Sequence, residues 1–191
     1  MYTLDDILDR WIPYRLQAIE TLHFAWLWVS ESDEPRKVSV YVDGQLKING
    51  NVAAIANPMI EAGIIHARAL LEFMGLCSSN GRLAQVVNRR KDDVAIEHYS
   101  TTQFPLCLVS PEEAITAYAG PAHEAETALL AIIDLANKGL AHLTLGTTSK
   151  NYTDNHIDIA CRGIPALVNN HLYAKLGKQI PAPPSAVPDG C

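Results

Sequence analysis

The sequence predicts a mainly α-helical protein, a bundle of about five helices with one small β-hairpin insertion. Three observations predict this fold. Apolar residues recur at intervals of three and four along most of the 191 residues. Capping residues followed by proline or acidic residues mark where helices begin. Between positions 36 and 49 the apolar period changes to two, which is typical of a hairpin.

Length and composition predict one domain over residues 1–180, followed by a disordered proline-rich tail at 181–191. The chain is 48% hydrophobic and only 19% charged, so we expect a second copy to cover part of its apolar surface. A net charge of -6 argues against a broad nucleic-acid-binding surface, and no DNA-binding motif is present. The apolar composition thus makes a homodimer the predicted assembly.

The start of the chain is acidic where a secretory signal would be basic. The most apolar stretch, residues 22–29, is shorter than the roughly 20 residues that cross a bilayer. Four cysteines are widely scattered without a Cys-x-x-Cys pair. We expect a cytoplasmic protein with reduced thiols, without a cofactor and without membrane association.

Thr3 is predicted to cap a first helix that runs to about Val29, with Pro13 either bending it or marking its true start. The hairpin at about 37–49 has two possible registers. A two-residue loop at Asp43-Gly44 would set Val40 opposite Lys47. A three-residue loop would set Val42 opposite Leu46 and Val40 opposite Ile48, and we favour it because one face then stays apolar.

Four further helices are predicted. Asn57-Pro58 is typical of a helix start, and this helix should run to about Leu76. Ser110-Pro111 opens a short helix to about Gly120, Pro121 begins the next to about Thr144, and the last runs from Asp154 to about Leu176 with a kink at Pro165. Residues 77–109 give mixed signals, with a turn at 78–81 and a β-prone stretch at 104–109.

The candidate site lies on the helix predicted from Pro121 to about Thr144, where Lys138 and His142 are one helical turn apart. Asp134, Lys138 and His142 follow one another at intervals of four, on the side away from the apolar stripe. A lysine beside a histidine is suited to holding a phosphate and moving a proton. The alternative is a solvated helix face on which Asp134 pairs with Lys138.

The residues Ala67-Arg68-Ala69-Leu70-Leu71-Glu72-Phe73 on a central helix, with Asn137-Lys138-Gly139-Leu140-Ala141-His142 on a later one, resemble the HEPN superfamily of helical bundles. The resemblance covers roughly residues 57–176. It implies a dimeric bundle, and many members are metal-independent ribonucleases or toxins of defence systems that use an Arg-x4-His motif.

Carried onto this chain, the motif gives His142 the role of proton carrier and places Asn137 where the family has its arginine, with Lys138 at the polar position. Lysine lacks the planar two-pronged contact of a guanidinium. Arg68, with Glu72 beside it, could supply that group if both helices face one cleft. The resemblance thus implies either a metal-independent endoribonuclease with an RNA substrate or a degenerate, non-catalytic relative. The alternative for Arg68 and Glu72 is an intrahelical salt bridge.

Two other functions remain open. The first is a non-catalytic dimeric interaction module that meets a protein partner through the hairpin or the tail. The second is a metal-binding bundle, because Glu20-x-x-His23 places a carboxylate and an imidazole on one helix face, with His66, His142 and His156 on other helices. His66 is more typical of a core histidine with a satisfied hydrogen bond.

Overall fold

A computed structural model describes residues 2–30, 34, 36–140 and 152–183, and of residues 138–140 it describes the backbone only. The helices are α1 (Leu4–Asp6), α2 (Ile12–Ser30), α3 (Ala53–Met74), α4 (Pro111–Thr116), α5 (Ala122–Asp134) and α6 (Asp154–Val168). The strands are β1 (Lys37–Val42), β2 (Gln45–Asn51), β3 (Leu76–Ser79) and β4 (Arg82–Gln85). Short π-helical segments at Ile7–Trp11, Leu135–Leu140 and Asn169–Tyr173 extend the neighbouring helices, and Ile96–Tyr99 is a 3-10 helix.

The predicted mainly α-helical bundle is confirmed. Because α1, the first π-helical segment and α2 form one rod, the described residues form five helical rods, of which the long ones pack around a common apolar core. The helices α2 and α3 make the most extensive contact, and α6 packs against α2, α3 and α5. The largest fully buried side chains come from all of these elements. Within the described residues, no helix is long and apolar enough to span a membrane.

The first rod begins as the sequence predicts. The Thr3 hydroxyl accepts a hydrogen bond from the Asp6 amide, and the Asp6 carboxylate accepts one from the Thr3 amide. Pro13 does not start the helix. It follows the π-helical segment, in which the Ile12 amide donates to the Ile7 carbonyl five residues earlier. The rod therefore widens just before Pro13, which has no backbone N–H to donate.

The first hairpin adopts neither of the two predicted registers in full. Its loop has two residues, because Val42 pairs with Gln45, and the positive φ of Asp43 (51°) and Gly44 (74°) suits such a tight turn. A β-bulge at Lys47 then restores the predicted pairing of Val40 with Ile48. The favoured three-residue loop was therefore wrong, although the apolar face that motivated it is present.

The start of α3 is also corrected. The helix begins at Ala53, whose amide donates to the Asn51 side chain, and not at Asn57-Pro58. Pro58 lies inside the second turn, where its ring suits helical φ but removes one hydrogen bond and crowds the carbonyl four residues earlier. Burial favours the earlier start, because Val52 and Ala56 in the first turn are part of the core.

A second hairpin, β3–β4, lies at the start of the region whose sequence signals are mixed. It turns at Asn80-Gly81, within the predicted turn. The β-prone stretch 104–109 forms no strand. The Val109 amide donates to the Met74 carbonyl at 2.9 Å. This hydrogen bond joins the end of the stretch to the end of α3 instead of to a strand.

The later helices start within one residue of their predicted positions, but α4 ends at Thr116 and not near Gly120. Ser110 and Glu113 form the expected capping box of α4, and α6 starts at Asp154. Pro165 lies within α6, which stays helical to Val168 and then changes to the π-helical segment that ends at Tyr173. Most of the predicted tail and the expected end of the fourth helix at Thr144 lie outside the described residues.

Candidate functional site

The predicted catalytic helix is only partly described. Asn137 is half-buried in the π-helical segment Leu135–Leu140, whereas the side chain of Lys138 and the whole of His142 lie outside the described residues. The predicted roles of Lys138 and His142 therefore stay predictions. Four residues of its predicted apolar stripe, Leu129, Ile132, Ile133 and Ala136, are buried as expected. Leu130 and Ala131 are buried as well, so this part of the helix is buried on all sides and not along one stripe only.

Asp134 lies where the sequence did not place it. We expected it on a solvated face, but it is only 9% exposed and accepts a 2.7 Å hydrogen bond from the Tyr152 hydroxyl. Burial, and then the hydrogen bond to Asp134, raise the pKa of Tyr152. The structure thus has a carboxylate held inside the protein beside the predicted site. No signal in the sequence linked Tyr152 to it.

Arg68 and Glu72 form an ion pair on the surface of α3, with 2.6 Å between Arg68 Nη2 and Glu72 Oε1. Their side chains are 35% and 48% exposed. The four-residue spacing places them on one helix face, as the salt-bridge interpretation predicts. An exposed pair of this kind contributes little to stability.

Glu20 and His23 line the same recess between α2 and α6, of about 410 Å³. His23 Nε2 lies 2.9 Å from the Asp158 carboxylate, which also accepts a hydrogen bond from Arg162. The imidazole is thus paired with a carboxylate from another helix and not with Glu20. Within residues 2–30, 34, 36–140 and 152–183, no group of three or more His, Cys, Asp and Glu side chains is placed to hold a metal ion.

His66 has the satisfied hydrogen bond that the sequence interpretation expected, and its partner is Arg15 of α2. Arg15 Nη1 lies 2.9 Å from His66 Nδ1. An arginine can only donate, so His66 Nδ1 accepts and the imidazole is neutral. Burial, reinforced by the cationic Arg15, lowers the pKa of His66. The rings of His66 and Tyr14 lie nearly perpendicular to each other, with their centroids 5.2 Å apart.

The first hairpin presents an apolar surface that is only partly covered by the described residues, since Val38 and Val40 are half-buried. The strand pairs place Val38, Val40, Val42 and Ile48 on one side, called here the hairpin face. Val42 is 50% and Ile48 43% exposed, and all of β2 is exposed. Neither strand makes an extended contact with a described helix. On the other side, Tyr41 pairs with Leu46, and both are exposed as well.

Comparison of the chain with protein-family models, with curated proteins and with solved structures gave no match.

Proposed function

We propose that this protein is a non-catalytic, homodimeric interaction module whose two copies meet through their hairpin faces. The observation that carries the proposal is the exposed apolar side of the first hairpin, with which none of the described helices makes an extended contact. A two-stranded hairpin is marginally stable in water unless its apolar face packs against something.

A second copy suits this surface for reasons of symmetry and charge. In a two-fold dimer the same patch serves both partners and must be complementary to itself. The hairpin face, with Gln45 and Gly50 beside it, contains no charged side chain. Two copies can therefore meet there without repulsion between like charges, although each copy has a net charge of -6.

Sedimentation equilibrium of the full chain tests the proposal. The wild-type protein should be a dimer at micromolar concentration, and Ile48→Lys should make it a monomer because a charge would be buried at the contact. The matched control is Asn49→Lys, which adds the same charge to the neighbouring residue on the opposite side of β2 and should remain dimeric. Far-UV circular dichroism should show unchanged helix content in both variants. A monomeric wild-type protein, or a dimeric Ile48→Lys variant, would contradict the proposal.

A second candidate function is metal-independent RNA cleavage at the end of the α5 rod, as the HEPN resemblance implies. Two observations favour this location. The motif residues Asn137 and Lys138 lie in a π-helical segment, a feature often found at functional sites. Asp134, the last residue of α5, is a buried carboxylate that accepts a hydrogen bond from the Tyr152 hydroxyl.

The test is cleavage of a mixed RNA pool in the presence of a chelator. If the protein cleaves, His142→Ala should lower the rate about 100-fold or more, since it removes the proton carrier. Lys138→Ala should lower the rate about tenfold, a loss of ~1.4 kcal/mol in transition-state stabilisation. His123→Ala, an exposed histidine at the start of α5, should have no effect. Cleavage that is absent, abolished by the chelator or unchanged in His142→Ala would refute this candidate.

A further inference from the structure

A recess beside the first rod combines aromatic walls with a partly buried cation. It has a volume of about 410 Å³ and is lined by Tyr2, Trp11, Arg15, Phe73 and several aliphatic side chains. Recesses of this size and character hold small organic molecules. This recess is distinct from the hairpin face and from the predicted catalytic helix.

Arg15 has donor capacity to spare. Its guanidinium has five N–H groups, and its hydrogen bond is to the neutral His66. Among the residues that the structure describes, none offers Arg15 a carboxylate within 4.0 Å. Burial lowers the pKa of Arg15, as expected for a cation removed from water without an anion beside it. An anionic ligand would supply the missing charge partner.

The walls restrict the shape of that anion. Tyr2 and Trp11 meet edge to face at a centroid distance of 5.0 Å, and Phe73 lies nearby with 8% of its surface exposed. Aromatic side chains arranged in this way favour a planar ring as a neighbour. Arg15 is the single cation of this lining and can offset one negative charge, whereas Asp92 and Asp93, which also line the recess, oppose any further one. The occupant should therefore carry one negative charge and not two.

We infer that this recess binds an aromatic monocarboxylate, with its carboxylate on Arg15 and its ring between Trp11 and Phe73. Neither the dimer nor RNA cleavage depends on this site.

Titration calorimetry with phenylacetate, phenylacetamide and phenyl phosphate tests the inference on the full-length protein. Phenylacetate should bind with a Kd below about 1 mM, which is ordinary efficiency for so small a ligand. The neutral amide should bind at least about tenfold more weakly, because it lacks the charge that Arg15 recognises. Phenyl phosphate should also bind more weakly, because Arg15 offsets only one of its two negative charges and the lining residues Asp92 and Asp93 oppose the other.

Two variants locate the contact. Arg15→Gln keeps a donor for His66 but removes the cation, and it should weaken phenylacetate binding about tenfold or more. The matched control Arg10→Gln changes an exposed arginine on the same rod and should leave the affinity unchanged. The inference is overturned if phenylacetate does not bind, if its affinity is the same in Arg15→Gln, or if the amide or phenyl phosphate binds the wild-type protein equally well. The ligand comparison needs no variant, so it decides the matter even if Arg15→Gln misfolds.

Discussion

His66 illustrates how one contact fixes a side chain's protonation state. Its Nδ1 accepts from Arg15, and burial together with this cation lowers the pKa of the imidazole. The unfolded chain, in which the pKa is ordinary at about 6.5, therefore binds a proton more readily than the folded chain does. The contribution of His66 to the free energy of unfolding is therefore complete above about pH 6.5 and is lost as the pH falls below that value.

We expect the free energy of unfolding to fall between about pH 7.5 and pH 5.5, and to fall less in His66→Gln. The glutamine can still accept from Arg15 but does not titrate. Some decline should remain, because burial and Lys175 lower the pKa of His171 in the same direction, against an opposing effect of Glu113. Urea unfolding at the two pH values checks this. An equal fall in the free energy of unfolding for the wild type and His66→Gln would show that His66 does not contribute to the pH dependence of stability.

Individual residues were predicted with uneven success. A satisfied core histidine was expected at His66, but its partner lies 51 positions earlier in the chain, where no local pattern indicates it. Asp134 was placed on the polar side because the four-residue interval assumes an uninterrupted α-helix. A π-helical segment follows it and Tyr152 covers it, and neither feature is visible in helical periodicity.

At the scale of elements, α2 and α3 approach each other closely at Gly63. A Cβ added there would lie 2.3 Å from Leu22 Cβ and 2.8 Å from the Ala18 carbonyl oxygen. Because these atoms belong to the facing helix, a methyl group can be accepted only if the two helices move apart. The small residue thus sets the distance between the two longest helices.

Gly63→Ala should lower the free energy of unfolding by about 2 kcal/mol, because overpacking outweighs the gain in helix propensity. Gly163→Ala in α6 is the matched change, since a Cβ there meets nothing within 4 Å. That variant should be more stable by about 0.5–1 kcal/mol. Denaturant unfolding of both variants measures the difference. A stabilised Gly63→Ala would show that the helices are not in close contact at this point.

Element type was predictable and element detail was not. Capping residues correctly indicated the starts of the first rod and α4, because a cap is a local interaction. The start of α3 was mislocated, since burial of Val52 and Ala56 outweighed the Asn57-Pro58 signal. The first hairpin kept its apolar face through a bulge at Lys47, which alternation alone cannot reveal.

At the scale of the whole molecule, folding and assembly should be linked. If the hairpin faces meet in a dimer, association stabilises the folded state by mass action. The wild-type Tm should therefore rise with protein concentration, whereas that of Ile48→Lys should not. Scanning calorimetry over about a hundredfold range of concentration measures both. A Tm that is independent of concentration in the wild type would argue against a dimer that forms with folding.

The first and last helical rods are joined directly inside the core. Tyr173, which is fully buried, donates a hydrogen bond to the carbonyl of Leu8 across 165 positions of sequence. During synthesis this contact can form only after the residues up to Tyr173 have left the ribosome. Until then the apolar faces of the earlier helices are exposed to solvent or to chaperones, so the complete core forms only after the last rod has left the exit tunnel.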